Sequence, residues 1–273
     1  MSYLVIKNLN VEKANALPAW WVGGAPSMIG LYGFVHNMER QTGGHVKKFG
    51  LVVHELNVHG TNLHNESQIV GLSFDRSVDL PKATSPLLSH KRALKASQKN
   101  PGGQPIQPSA VMDMRVSIVL ETDDMNVRKL KKTLGHSRIV GGYIKNNDYE
   151  IVDVNSSSDI PKEIRNGFAV VDAKQLLHED DKLESALVIS SMRGIPNRYF
   201  LTCNGYQSIS PIAERHGARS DKHTYVEPMV GLNEYVNVRT CKEAKKEFPM
   251  WEYQCDLESG TFLVSGEHQY MQG

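Results

Sequence analysis

The stretch GGAPSMIGLYGFVHNMERQTGGH, residues 23–45, has the pattern of a helix framed by two turns. Pro26 and Ser27 stand where a helix would begin, and a pair of glycines stands where it would end. An apolar stripe at helical spacing lies between them: Leu31, Phe34 or Val35, and Met38. The glycines match neither GxGxxG nor GxxxxGK[ST], which argues against a nucleotide cradle. We therefore predict a core helix, whose first backbone N–H groups could meet a phosphate.

Segments with strand periodicity surround this helix. They cover residues 3–11, 51–58 and 112–120. Asp124 is a candidate N-cap for a second helix that runs through Leu134 and stops at Gly135. The order strand, helix, strand, strand, helix, strand is that of the ferredoxin-like unit. We predict an α+β fold, with a ferredoxin-like (RRM-like) core over residues 1–150 and an additional C-terminal α/β part over residues 151–273 that packs on it.

A long insertion separates the second and third strands. Residues 65–108 hold five prolines and a Gly-Gly pair, whereas a usual connection has about 4 to 6 residues. Over residues 81–120, six cations are set against one acid, Asp113: Lys82, Lys91, Arg92, Lys95, Lys99 and Arg115. Leu87 and Leu88 form an apolar pair close to the lysines. These features favour an arm that lies along nucleic acid and presses an apolar wedge against bases; a loop without function is the alternative.

Composition limits the remaining classes. A chain of 273 residues with 40% hydrophobic content can bury a core, and a net charge of +1 by itself favours no partner. No apolar run reaches the roughly 18 to 20 residues of a membrane span, so we expect a cytoplasmic protein without membrane contact. Cys203, Cys241 and Cys255 are odd in number and contain no CxxC pair, so we expect buried free thiols.

The histidines and a second glycine pair suggest chemistry less clearly. HELNVH, residues 54–59, is one residue too long for the HExxH zinc motif, and as strand neighbours His54 and Glu55 would face opposite sides. With His64 they supply no converging ligands, so we predict neither a metal nor a cofactor. His36 could act as a general base, but a surface histidine is the simpler interpretation. Gly141-Gly142 either brings the backbone close to a phosphate or forms a turn.

An ordered series of segments resembles a known family. The segments are Asn15-Ala16, GFVH (33–36), RIVGGYI (138–144), NGFAVVDAKQLL (166–177), GYQSISP (205–211) and VEPMVGLNEYV (226–236). Together they resemble the second subunit of the type I-F CRISPR Csy complex, a Cascade complex, which belongs to the Cas-five group of the RAMP superfamily. Two regions depart from the family: HEDDKLES (178–185) replaces a longer helical region, and the tail after Thr240 matches nothing in it.

The resemblance implies a role without catalysis, in antiviral defence or in a transposon-associated variant of it. Such a subunit holds the 5′ handle of crRNA, caps the filament of backbone subunits, pairs with the large subunit that recognises the PAM, and meets target DNA through the complex. Its thumb presses on the first part of the guide, and the insertion takes the place of that thumb. Lys91, Arg92, Lys95 and Lys99 would contact the RNA backbone, with Leu87 and Leu88 as the wedge.

Further RNA contacts are expected along the chain. The candidates are Ser27, His36, Arg138, Gly141, Gly142, Arg193, Arg198, Arg215 and Arg219. Trp20 and Trp21 are candidates for stacking on bases. Two alternatives remain from other classes. One is a crRNA-processing endoribonuclease of the same superfamily that uses His36, and the other is a protein-binding module whose basic arm meets an acidic partner.

Overall fold

The computed structural model of the chain describes residues 2–19, 22–60, 110–145, 148–164, 166–178, 180–191, 198–216, 222–243 and 247–266. The predicted insertion over residues 65–108 lies outside these ranges, with the six residues assigned to it: Leu87, Leu88, Lys91, Arg92, Lys95 and Lys99. Trp20, Trp21, Arg193 and Arg219 also lie outside the described residues. The predicted roles of all these residues stay predictions.

Eleven strands and five α-helices form the described part of the chain. The strands are β1 (Ser2–Asn15), β2 (His45–Gly60), β3 (Ala110–Asp123), β4 (Arg138–Ile139), β5 (Gly142–Ile144), β6 (Glu150–Val154), β7 (Phe168–Asp172), β8 (Tyr199–Ser208), β9 (Val226–Asn237), β10 (Trp251–Asp256) and β11 (Thr261–Gly266). The helices are α1 (Met28–Thr42), α2 (Val127–Leu134), α3 (Ile160–Glu163), α4 (Lys182–Ser191) and α5 (Val238–Glu243). The three strands predicted from periodicity are confirmed, and each is longer than predicted.

Helix α1 is the core helix that its sequence predicts. The Ser27 hydroxyl accepts a hydrogen bond from Gly30 N–H at 3.1 Å, which caps the amino-terminal end. At the other end Gly43 adopts the left-handed conformation, with φ 80°, and donates to the Glu39 carbonyl. The whole predicted stripe is buried: Leu31, Phe34, Val35 and Met38. Local signals therefore fix both ends and the inner face of this helix.

Helix α2 ends as predicted but begins differently. It stops before Gly135. Its N-cap is Asn126, whose side chain accepts from Lys129 N–H at 3.0 Å, so the prediction of Asp124 was wrong. Asp124 lies two residues earlier with a positive φ of 59°, in the turn that leaves β3. A short polar side chain is favoured both at an N-cap and at a turn residue with positive φ, so the residue types do not show which of Asp124 and Asn126 caps the helix. The path of the backbone through the turn decides it.

All strand pairings in the described chain are antiparallel, in one sheet with the order β10-β11-β8-β9-β7-β2-β3-β1-β5-β4. Strand β6 pairs with β1 beside β5. The prediction of an α+β fold is confirmed, but the C-terminal part is not α/β as predicted. Its strands come mainly as two antiparallel pairs of consecutive strands, β8–β9 and β10–β11, whereas an α/β unit has parallel strands joined by helical crossovers.

The C-terminal strands return to the amino-terminal half. Trp251 of β10 pairs with Phe49 of β2, so strands β2, β7, β9, β8, β11 and β10 form a closed circuit. Both halves share one core cluster, in which Leu9 and Ile118 are buried together with Phe200 and Trp251. Strands β10 and β11, in the described part of the tail after Thr240, are thus an integral part of the sheet.

Different helices pack on the two faces of the sheet formed by β1, β2 and β3. On one face α1 and α2 pack over the apolar side chains of β1, β2 and β3. On the other face a second cluster joins Val52 and Val119 to Ile160 of α3 and Val238 of α5. This second cover extends over only part of the strands, and the rest of that face is polar.

The cysteines and helices bear on two further predictions. Cys203 and Cys241 are buried free thiols, as predicted. Cys255 is exposed, so the prediction was wrong for that residue, which lies on β10 close to a surface turn. Among the helices of the described residues, none combines the length and the apolar character that a membrane span requires.

Candidate nucleic-acid interface

A polar groove of about 1150 Å³ occupies the uncovered part of the second sheet face. Its walls come from β1, β2 and β3 on one side and from the segments that precede β7 and follow β9 on the other. Charged and amide side chains dominate the lining: Asn10, Glu12, His54, Glu55, Asn57, Asp113, Arg115, Lys145, Asn166, Asn237 and Arg239. The groove lies towards the ends of β2 and β3 between which the insertion is attached.

The alternation of β3 explains why this face is polar. Met112, Met114 and Val116 are buried in the cluster beneath the helices. Asp113 and Arg115 alternate with them and line the groove. Sequence periodicity therefore fixes which charged side chains reach this surface.

Bulges in the neighbouring strands shape the groove floor. Strand β1 shifts register twice against β3, at Asn8 and at Lys13, which have φ values of 60° and 56°. Asn8 N–H donates to the Ser117 hydroxyl at 3.1 Å, and Lys13 N–H donates to Asp113 Oδ1 at 2.9 Å. Side chains of β3 thus accept from the backbone donors that the bulges remove from the ladder.

A third bulge, at His54 in β2, corrects a prediction. The register shifts between Val53 and Glu55, so His54 is an extra residue on its strand. His54 and Glu55 both line the groove, and the prediction that they face opposite sides was wrong. The extra residue interrupts the two-residue period on which that prediction rested.

His54 is held as a neutral ring. Its Nε2 lies 2.7 Å from the Ser117 hydroxyl, and it also forms a hydrogen bond with the Asn166 backbone. Burial, assisted by the charge of Arg115, lowers the pKa of His54 to about 4. Because Ser117 accepts from Asn8 N–H, its own proton is free to be donated to Nε2. The network ties β1, β2 and the segment before β7 together beneath the groove.

This network predicts a pH dependence of stability. His54 has a pKa near 6.5 when unfolded and about 4 when folded, so the unfolded chain binds more protons between these values. We expect the free energy of unfolding to fall by about 3 kcal/mol as the pH drops through this window. Urea denaturation of the wild type and of His54→Gln from pH 7.5 to 4 would measure it. Since carboxylates titrate equally in both proteins, equal pH slopes would contradict the prediction.

Most charges of the groove are already paired. The Arg115 guanidinium pairs with Glu55, and the Lys145 ammonium pairs with Glu12. The Lys145 and Tyr143 hydrogen bonds lower the pKa of Glu12, which keeps this carboxylate ionised. A ligand in the groove would therefore meet the carboxylate acceptors of Glu12 and Glu55 together with the cations of Arg115 and Lys145.

Arg239 differs from the other groove cations in its partner. Its Nη2 and Nε atoms donate to the neutral amide oxygen of Asn166, at 2.6 and 3.2 Å. A neutral acceptor does not balance the positive charge of an exposed guanidinium. Arg239 is thus the groove cation best suited to meet a phosphate.

One of the predicted RNA contacts, Ser27, caps α1, and another, His36, lies on it. Ser27 is buried, and besides capping the helix its hydroxyl donates to the Cys203 carbonyl at 3.1 Å. His36 is exposed on the helix surface, with Nδ1 3.1 Å from Glu39 Oε2. Its ring stacks with Tyr32 at a centroid distance of 6.0 Å. The contact of either residue with RNA stays a prediction.

Gly141 lies in the tight turn of the β4–β5 hairpin, and Gly142 is the first residue of β5. Val140 and Gly141 both have positive φ, 49° and 84°, as in a type I′ turn. Arg138 is exposed and donates from Nη1 to the Gly141 carbonyl at 3.1 Å. A Cβ at Gly142 would lie 2.6 Å from Ala14 N, so this glycine lets β5 approach β1. The turn accounts for Gly141 and the close approach to β1 accounts for Gly142, while a phosphate contact stays a prediction.

The two glycines should respond differently to alanine. Gly141→Ala places a side chain in open space and costs about 1 kcal/mol of backbone strain. Gly142→Ala forces β5 away from the β1 backbone, for which we expect a loss of about 2–3 kcal/mol. Urea denaturation of each variant and of the wild type measures the loss in the free energy of unfolding from the midpoint and the slope of the transition. Equal losses would show that the close approach to Ala14 carries no energetic weight.

The described arginines near GYQSISP have partners elsewhere in the chain. Arg198 forms an ion pair with the buried carboxylate of Glu234. Arg215 donates to the Ser210 hydroxyl at 3.1 Å and lies 4.9 Å from the centre of the Tyr225 ring. Of the predicted contacts within the described ranges, none lines the groove: Ser27, His36, Arg138, Gly141, Gly142, Arg198 and Arg215. The structure therefore does not gather them into one site.

The candidate metal ligands also have separate partners. His54 bonds to Ser117, and His59 Nε2 lies 2.9 Å from Asp113 Oδ2. In the ranges that the structure describes, no three side chains of His, Cys, Asp or Glu converge as metal ligands would. His64 lies outside these ranges.

Sequence patterns do not identify the groove residues as a group. They place Arg115 only in a basic segment and Asn166 only within NGFAVVDAKQLL. The alternation Asp113, Arg115, Ser117 on an otherwise apolar strand is a signal that could have found one wall. Arg239 and Asn237 carry no such signal, because they reach the groove only through the return of β9.

The chain is similar to one known protein family over most of its length. The family model described as CRISPR-associated protein (Cas_Csy2) matches residues 4–189, which is more than half of the sequence. No curated protein matches the chain. The matched residues include β1, β2, β3 and β7, which supply most of the groove.

Proposed function

Because this chain belongs to the CRISPR-associated Csy2 family, we propose that it is a non-catalytic subunit that binds the 5′ handle of crRNA. The family makes the chain a Cas subunit of the Csy complex, and the I-F subtype agrees with that name. We propose further that it caps the backbone filament, docks the large PAM-reading subunit and acts in the cytoplasm. The family match is the observation that carries this proposal.

The fold supports the assignment to the RAMP group. Strands β2, β3, β1 and β6 are neighbours in that order, and α1 and α2 follow β1 and β3 along the chain. This is the strand order and helix placement expected of a ferredoxin-like unit. We propose that residues 1–150 form this unit, with β6 completing it as far as Val154, that the insertion over residues 65–108 is its thumb, and that the rest of residues 151–273 packs on it.

The groove supports an RNA contact on the same unit. Gly60, the last residue of β2, and Ala110, the first residue of β3, are the described residues nearest in sequence to the insertion, and polar side chains of both strands line the groove. Cations of the insertion and Arg239 could therefore meet the same RNA strand. The amides of Asn10, Asn57 and Asn237 offer donors and acceptors to sugars and base edges.

A tagged pull-down tests the proposal directly. The chain would be expressed with a CRISPR array and the neighbouring genes, and the 5′ ends of the bound RNA would be sequenced. We expect one uniform 5′ end inside the repeat, with backbone subunits in the same fraction. Heterogeneous RNA would contradict handle binding, and an absence of RNA would favour the protein-binding module.

One observation favours the endoribonuclease alternative. Glu39 lies at Nδ1 of the exposed His36, as a carboxylate does when it orients a general base. The non-catalytic proposal predicts that His36→Ala leaves precursor processing unchanged. Loss of precursor cleavage with retained RNA would establish the alternative.

A further inference from the structure

Exposed apolar side chains gather at one end of the molecule. Of nine large hydrophobic side chains exposed in the described ranges, six lie at the β8–β9 and β10–β11 ends: Tyr206, Ile209, Ile212, Tyr225, Val226 and Leu257. We call these six residues the apolar tip. Exposed hydrophobic residues scattered singly need no explanation, whereas a cluster of this kind marks an interaction surface.

The apolar tip has a defined shape. A cavity of about 400 Å³ opens at its surface, lined among others by Ile209, Ile212 and Leu257. Backbone hydrogen bonds fix its walls, because Ile209 N–H donates to the Tyr225 carbonyl at 2.9 Å and Ser208 N–H donates to Gly260 at 2.9 Å. A partner could therefore bind without first ordering these segments.

Exposed acidic residues lie next to residues of the apolar tip along the chain. Asp256 and Glu258 flank Leu257, Glu227 follows Val226, and Glu214 follows Ile212 by two residues; all four are exposed. Hydrogen bonds from Ser259 and from the Glu258 backbone lower the pKa of Asp256, so this carboxylate is ionised at neutral pH. In the described part of residues 208–226, the Lys and Arg residues are Arg215 and Lys222, and both form contacts within the chain. Arg215 binds Ser210, and Lys222 also has an intramolecular partner.

We propose that the apolar tip docks another protein subunit of the complex, through a segment that presents apolar side chains flanked by Lys or Arg. The carboxylates complement such a segment and repel the phosphates of RNA, which makes a nucleic-acid ligand the poorer fit. The proposal rests on the subunit role proposed above and names the surface and the chemistry of one contact.

Photo-crosslinking in the assembled complex tests this contact. Leu257→p-benzoylphenylalanine would be expressed with the array and the neighbouring genes, and the control would be the same replacement at Leu183. The two leucines match in exposure, 66% and 59%, but Leu183 lies on α4. We expect position 257 to form an adduct with one protein subunit at least tenfold more than position 183. An adduct with RNA, with a second copy of this chain, or with nothing would overturn the proposal.

Substitution separates this contact from handle binding. Ile209→Asp with Leu257→Asp should lower the amount of that subunit in the purified complex by about tenfold or more, while Leu183→Asp should leave it unchanged. Glu258→Lys should act in the same direction. Unchanged subunit content would overturn docking even where crRNA with uniform 5′ ends is present. Loss of uniform 5′ ends in the wild-type complex would instead overturn the handle role.

Discussion

Replacement of Trp251 by alanine is expected to lower the free energy of unfolding by about 3–5 kcal/mol. The indole is 1% exposed, and it lies in the core cluster shared by both halves of the chain. Its Nε1 donates to the Val170 carbonyl at 2.8 Å, and its backbone pairs with Phe49. The substitution therefore opens a cavity where β10 closes the circuit of strands. Urea denaturation followed by circular dichroism measures the loss.

Trp251→Phe is the matched control for this prediction. Phenylalanine keeps most of the apolar volume but leaves the Val170 carbonyl without its donor, for which we expect about 1–3 kcal/mol. A loss in Trp251→Ala no larger than in Trp251→Phe would mean that the cavity contributes nothing. In that case the circuit of strands would not depend on the packing of this side chain.

Removal of the four cations of the insertion is expected to weaken RNA binding by roughly 10²–10³-fold. Lys91, Arg92, Lys95 and Lys99 are assigned to the RNA backbone, and each charged contact is given about 1 kcal/mol. Binding of each cation to a phosphate releases counterions from the RNA, so the association constant falls as salt rises. Replacing all four cations by alanine should therefore make the slope of log K against log salt less negative by about 3. The measurement uses the full chain and an RNA oligonucleotide that carries the 5′ end found in the pull-down.

A second quadruple variant controls for net charge. Arg128, Lys129, Lys131 and Lys132 are exposed on or beside α2, and their replacement by alanine removes the same four charges. We expect less than a threefold change in affinity from this variant. Equal weakening by both variants would show that overall charge, rather than the insertion, attracts the RNA.

The features that sequence predicts well here are local. The ends of α1 depend on Ser27 and Gly43, and its inner face on a stripe within a single helix. The start of α2 was missed because Asp124 and Asn126 have similar capping chemistry and differ only in the turn that they occupy. Local signals therefore located the elements but not every boundary.

The groove depends on features that local patterns do not encode. The bulge at His54 changes the side to which Glu55 points, and the partners that define the groove come from distant positions such as Asn166 and Arg239. The family resemblance identified the complex correctly, since it used the order of segments over most of the chain. It assigned RNA contacts to residues that the structure distributes over several surfaces, and those contacts remain predictions.

The closed circuit of strands also constrains how the protein is made. Phe49 and Trp251 pair only after the ribosome has synthesised the chain beyond Trp251, because about 200 residues separate them. Until then, this part of the edge of β2 has no partner from β10, and an unpaired strand edge is prone to pair with other chains. We expect the circuit of strands to close late, at a time set by the rate at which the segment that carries β10 emerges. Truncated products that lack β10 should accumulate in aggregates.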